Sequence, residues 1–174
     1  LEALTARVDA LTARVESLAA AQQRMEEVVQ QLLVDVAALK GDSLERKFCE
    51  SAPAYLGRRY RRGRVLSKQE LVDALDEAVD QGRLDEAESD AILEEIRLAD
   101  AVVRARDAEG EILLVAEVSA VVDRDDVARA VRRARVLERL GVRTRPGVAG
   151  RRFTEGAESL LAEGSIERWQ LEGN

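Results

Sequence analysis

The first 39 residues follow a seven-residue rule. Apolar residues stand three and four apart at Leu1, Leu4, Val8, Leu11, Val15, Leu18, Met25, Val29, Leu32, Val36 and Leu39, with Gln22 as the one polar interruption. Two consecutive heptads, beginning at Leu4 and Leu11, are nearly identical, and no Pro or Gly occurs before Gly41. A sustained period of about 3.5 predicts a left-handed coiled coil. Val dominates the a positions and Leu the d positions, which in parallel helices favours two strands. Gln22 falls at an a position, where a polar residue costs stability and fixes register. Val28 and Leu33 widen the apolar face, which leaves a trimer or packing onto the next domain open. A helix of this length runs about 60 Å, longer than a small domain is wide. Residues 1–39 are therefore expected to form a homo-oligomer, a dimer ahead of a trimer.

The 174 residues include 27 basic and 34 acidic ones, for a net charge of -7, and 46% are hydrophobic. That aliphatic content supplies a core and excludes a disordered chain. No apolar run approaches the ~20 residues of a membrane span. No basic-then-apolar leader opens the sequence, and the initial Leu1 reads as the start of a fragment. The single cysteine, Cys49, excludes an internal disulfide and fits a reducing compartment, the cytoplasm. There is no histidine. That removes His–Cys zinc sites, Ser–His–Asp triads and imidazole pH switches. Chemistry falls to carboxylates, Lys, Arg, hydroxyls or a metal held by oxygen.

Gly41 is expected to stop the first helix, with Asp42 or Ser43 capping a second over residues 44–56. Arg58, Arg59, Arg61, Arg62 and Arg64 form a basic knot around Tyr60. Ser67 caps a helix to about Val79, and Asp85 opens another to about Leu98. Residues 68–100 hold 12 acids against three bases, the pattern of a solvated helical insert over about 67–98. The period then changes to two. Ala101–Arg106 and Glu111–Ser119 read as strands joined by a turn at Asp107–Gly110. Asp125 and Asp126 begin a helix that Gly141 ends. Val142–Ala149 reads as a strand, Thr154 caps a short helix, and Ile166–Leu171 reads as a last strand. The sum is an α/β fold, a mixed sheet flanked by helices. A coiled coil over 1–40 precedes this domain, which spans 41–174.

Folding the hairpin brings Asp100 toward Glu117 and Ser119. Two carboxylates converging at a sheet end make an oxygen site suited to Mg²⁺ or Mn²⁺, able to orient a phosphodiester and activate water without histidine. These residues carry a resemblance. Asp100, a hairpin, Glu117-Val118-Ser119, a helix from Asp125-Asp126, then Val148-Ala149-Gly150, resembles the PD-(D/E)XK nuclease superfamily with its restriction-endonuclease-like fold. More narrowly it resembles bacterial proteins that join a coiled coil to such a domain. The resemblance covers about residues 44–171. It implies Mg²⁺-dependent DNA cleavage, with Asp100 and Glu117 as metal ligands, the Val118 carbonyl as a third, and Glu45 as the extra acid some members carry.

The sequence departs from the family motif at Ser119, which stands where the family has lysine, and Leu98-Ala99 replace the residues before the motif Asp. A serine neither carries positive charge nor activates water well, so the implied activity is weak or lost. Lys47, Lys68 or Arg104 are candidates to supply the missing cation. Pairing with an arginine is the plain alternative for Glu117, since an unpaired buried carboxylate is costly. Arg58, Arg59, Arg61 and Arg62 are candidates to bind nucleic acid, and the arginines of 129–145 are read either as phosphate ligands or as partners of the acidic insert. The competing function is a non-catalytic scaffold in which the nuclease fold persists and the coiled coil recruits a protein partner.

Overall fold

A computed structural model describes residues 2–172. Leu1, the first a position of the heptad pattern, lies outside the described residues. The chain divides into two units, Leu1–Lys40 and Gly41–Asn174.

In the first unit all the described residues belong to helix α1, Glu2–Tyr55. Its a and d apolar side chains from Leu4 to Leu39 are between 44% and 69% exposed. Among the described residues the stripe is left open to solvent. Gln22 donates from Nε2 to Glu26 Oε1 at 3.1 Å, a local contact in place of a core one.

Gly41 does not stop α1, contrary to the expectation from its sequence, and Asp42 and Ser43 cap nothing. Gly41 is not among the residues with positive φ that would end a helix. A glycine in a helix interior costs only about 1 kcal/mol. Burial of Leu44, Phe48 and Ala52, one above the other on α1, outweighs it.

The second unit is built on a five-stranded sheet in the order β1 (Arg61–Val65), β2 (Ala101–Asp107), β3 (Gly110–Val122), β4 (Thr144–Phe153), β5 (Glu167–Gln170). The first three strands are antiparallel and the last three parallel. This is the mixed α/β sheet expected. β1 is the strand the sequence hid inside the basic knot: its arginines carry no apolar alternation, and only pairing with β2 makes it a strand. It bulges between Arg61 and Arg64. Gly63 sits in the bulge, where a Cβ would crowd the Leu56 side chain.

One sheet face carries the end of α1. Phe48, Leu44 and Ala52 pack with Val103, Ala105, Ile112, Leu114 and Trp169. The other carries α2 (Lys68–Asp80), α3 (Glu86–Leu98) and α4 (Arg124–Leu137). Leu71, Leu75, Ile92 and Ile96 are buried with Val102, Leu113 and Val115. The supposed solvated insert is therefore a wall of the core, and its acids only coat the outer faces of amphipathic helices. Both helices begin in capping boxes, Ser67 with Glu70 and Asp85 with Glu88. The cap of α4 is Asp123, two residues before the acids that announced it. A single turn of 3₁₀ helix, Glu138–Leu140, follows α4, and α5 (Glu155–Glu163), capped by Thr154, lies between β4 and β5.

Candidate functional site

Antiparallel pairing of β2 with β3 begins at Ala101 opposite Ala116. Asp100 and Glu117 are the next residues outward, and this is why they converge. Asp100 Oδ2 accepts from the Val118 N–H at 2.7 Å, extending the ladder by one side-chain rung. Burial pushes the Asp100 carboxyl above its usual range. The Val118 N–H is thus held by Asp100. The Ser119 hydroxyl donates to the Val121 carbonyl at 3.0 Å.

Glu117 alternates onto the same face as Leu113 and Val115, beneath α4, and is 3% exposed. Its two carboxylate oxygens are both taken. Arg133 Nη1 donates to Oε1, and Arg129 Nε donates to Oε2 at 3.2 Å. Arg129 also donates to Asp126. Arg133 Nε reaches Glu95 Oε2 of α3 at 3.2 Å, and Arg132 Nε reaches Glu95 Oε1 at 3.2 Å. Three carboxylates face three guanidiniums across β3, α4 and α3. Burial, and then repulsion from Asp100, push the Glu117 pKa up to about 7 despite these donors. Arg132 and Arg133 of α4, and Arg139 of the 3₁₀ turn after it, thus pair with Glu95 and Glu88 of α3.

Three more groups border Asp100. Glu45, half-buried on α1, has its pKa raised by burial and then by the Asp100 charge. Cys49, on the next turn, has its thiol pKa raised by burial and by Glu45. Lys68, in the first turn of α2, directs Nζ to the carbonyls of Ile96, at 2.6 Å, and Ala99 at the end of α3. Burial lowers the Lys68 pKa, and Asp100 is the leading opposing charge. Of the three cations offered for the absent motif lysine, Lys68 is the one coupled to Asp100. Lys47 donates to the Glu172 carbonyl at 3.5 Å, and Arg104 pairs with Glu111 at 3.2 Å.

The sequence places Arg133 among the arginines of 129–145, as a phosphate ligand or a partner of the acidic segment, but does not assign it to Glu117 and does not point to Glu95. A signal existed: Arg133 falls in the buried stripe of α4 with Val127, Ala130, Ala134 and Leu137. An arginine in an apolar stripe requires a carboxylate opposite it.

The four candidate nucleic-acid arginines lie elsewhere. Register places Arg61 opposite Arg106, at the hairpin end of β2, whereas Asp100 precedes the other end. Six strand residues separate the ends, about 20 Å. Arg59 is engaged, bonding Glu167 at 3.1 Å and lying over the Tyr60 ring at 5.3 Å. Glu167 also accepts from Tyr60 Oη at 2.6 Å and from Arg145 at 3.1 Å. Burial and that hydrogen bond raise the Tyr60 pKa to about 12. Arg58, Arg61 and Arg62 are exposed.

No family model matches the chain, and no curated protein matches it. Among solved structures, it is similar to a repair endonuclease from Pyrococcus abyssi, with 27% identity and a TM-score of 0.36 over 42% of this chain and 34% of that one. The EndoMS–dsDNA complex gives 25% identity and a TM-score of 0.35 over 42% of this chain and 32% of that one. The restriction endonuclease BsaWI, in a pre-specific DNA complex, gives 13% identity and a TM-score of 0.36 over 71% and 46%. The chain spans about a third of the length of the first two. Among the described residues, no helix is long and apolar enough to cross a membrane.

Proposed function

We propose that this chain is an oligomeric module whose nuclease-like domain has exchanged metal-dependent cleavage for a buried ion-pair network. One observation carries the reading: both oxygens of Glu117 accept from guanidiniums. A divalent ion needs those oxygens free, and it would sit against two positive charges. Among the described residues no group of three or more His, Cys, Asp or Glu side chains is placed to hold an ion. As arranged, this donor set does not fit Mg²⁺ or Mn²⁺. Ser119 adds no charge where a developing phosphate anion would need one. Residues 1–39 supply self-association as a parallel homodimer, with Gln22 facing its own copy. The lone thiol of Cys49 suits the reducing cytoplasm.

Calorimetric titration with MgCl₂ and MnCl₂ tests this, beside an Asp100→Asn/Glu117→Gln control. The expected result is no specific heat at millimolar ion and no nicking of supercoiled DNA by the wild type. Deleting residues 1–39 is expected to leave a folded monomer by light scattering. Gln22→Val is expected to raise the melting temperature and admit other oligomeric states.

A second reading rests on Lys68, whose ammonium is coupled to Asp100 and Glu45. Here Lys68 substitutes for the motif lysine and slow metal-dependent cleavage survives. This reading expects ion binding lost in the control and nicking lost in Lys68→Met. It also expects Ser119→Lys to raise nicking by about a hundredfold, the effect of one well-placed donor. The first reading expects Ser119→Lys to stay silent.

A further inference from the structure

The hairpin end of the sheet concentrates positive charge that the described residues leave unneutralised. Arg61 and Arg106 stand directly opposite each other across β1 and β2. Like charges so placed destabilise a strand pair. The neighbouring pair, Arg64 opposite Arg104, is relieved by Glu70 at 2.6 Å and Glu111 at 3.2 Å. Arg61, Arg62 and Arg106 have no such relief: none of them makes an ion pair or side-chain hydrogen bond among the described residues. Glu111, the cross-strand neighbour of Arg106 on β3, is bonded to Arg104 instead. Asp107, the acid beside them, is held by Arg143 at 2.6 Å, which lowers its pKa to about 2.

The backbone adds to this cost. Arg62 has φ 57, the one non-glycine residue with positive φ among the described residues. An L-residue held there is strained, because its Cβ crowds the backbone. The bulge keeps both Arg61 and Arg62 exposed on an edge strand. With Arg106, Asp107, Ala108 and Gly110 they line a recess of about 460 Å³. Acids outnumber bases in this chain, 34 to 27. Three unpaired arginines converging on one recess therefore point to an anion supplied from outside.

We propose that Arg61, Arg62 and Arg106 bind the phosphodiester backbone of nucleic acid, at a site about 20 Å along the sheet from Glu117 and independent of any metal. Guanidinium forks match phosphate oxygens in pairs and retain their charge at any physiological pH. No large apolar side chain lines the recess to enter a lipid surface. The contacts are to backbone and carry no base readout. Binding is thus expected to be sequence-independent and steeply salt-dependent.

Fluorescence anisotropy of labelled duplex DNA with the full chain, in EDTA, tests the site over 50–200 mM salt. Three phosphate contacts give a slope of log K against log salt of about -3 and a loss of about fortyfold across that range. Arg61→Gln, Arg62→Gly and Arg106→Gln are each expected to reduce the slope by about 1, and together to abolish measurable binding. Glycine is chosen at position 62 because it relieves the positive φ. Arg168→Gln removes equal charge from an arginine already paired with Glu158 at 2.9 Å, and is expected to leave the slope unchanged. The single variants change exposed side chains and decide the matter if the triple variant folds poorly. No binding at 50 mM salt overturns the site, as do slopes that the three substitutions leave intact. Binding to phosphatidylserine vesicles or polyglutamate without binding to DNA overturns it equally. EDTA separates this result from the metal question: DNA binding here neither needs nor excludes an ion at Glu117.

Discussion

The two ends of the sheet treat arginine in opposite ways. At the Asp100 end, Arg129 and Arg133 are drawn onto Glu117, and the Lys68 ammonium rests against carbonyls at the end of α3. At the hairpin end, Arg61 faces Arg106 and both are exposed, with no ion-pair partner for either among the described residues. A buried charge must be matched, because desolvation costs several kcal/mol per ion. An exposed charge is screened, and mismatch there costs tenths. The first end thus has to be neutral in order to fold. The second is free to store charge for a partner.

The sharpest way to break this contrast is at Arg133. Arg133→Met keeps the length of the side chain and removes its charge, leaving Glu117 buried beside Asp100 with one guanidinium fewer. Removing one partner of a buried pair costs about 3–5 kcal/mol. That loss is expected at pH 8 by urea unfolding. It is expected to shrink at pH 5, where Glu117 is protonated. Adding Glu117→Gln to Arg133→Met is expected to recover most of it at pH 8. A loss below 1 kcal/mol at pH 8 would show that the network contributes little.

A pH series separates the ends without mutation. The Glu117 pKa stands near 7 in the folded chain against an ordinary 4.5. The folded state therefore holds that proton more tightly than the unfolded one. Stability is greatest below about 4.5, declines as pH rises toward 7, and is flat above. A shift of this size corresponds to about 1–3 kcal/mol after solvent screening. Asp107, near the hairpin, behaves in the reverse sense. Its pKa lies at about 2 against 3.8, so its contribution is present above 3.8 and lost as pH falls toward 2. Urea midpoints from pH 2 to 8 are expected to peak near pH 4–5. Glu117→Gln is expected to flatten the upper limb alone, and Asp107→Asn the lower limb alone.

What the sequence disclosed follows the range of the forces involved. Ser67, Asp85 and Thr154 were legible as caps because a cap bonds a backbone two or three residues away. The Asp107–Gly110 turn was legible for the same reason, and it fixed the register that brings Asp100 to Glu117. The partner of Glu117 was not, because Arg133 lies on another element and many arginines compete for one carboxylate. β1 was hidden because its residues are arginines and its order comes from β2. The stop at Gly41 failed because a glycine signals only a weak preference, which the burial of Leu44 and Phe48 overrides.

The smallest effect is the most telling for the hairpin end. Arg61→Glu places a carboxylate opposite Arg106 in the same register position, on an edge strand with no acid across from it. A like-charge pair becomes an attractive one, and cross-strand pairs of this kind are worth about 0.2–1 kcal/mol. The substitution is expected to raise stability by that amount at neutral pH, where every charge reversal in the Glu117 network would lower it. The gain should fade in high salt, since both side chains are exposed. The same change should eliminate DNA binding in the anisotropy assay, because the recess loses one cation and gains an anion. A more stable protein that no longer binds DNA would show that the arrangement of Arg61 and Arg106 serves the partner and not the fold. A less stable one would mean that Arg61 has a structural task its exposure does not reveal, and the contrast between the two ends would fail.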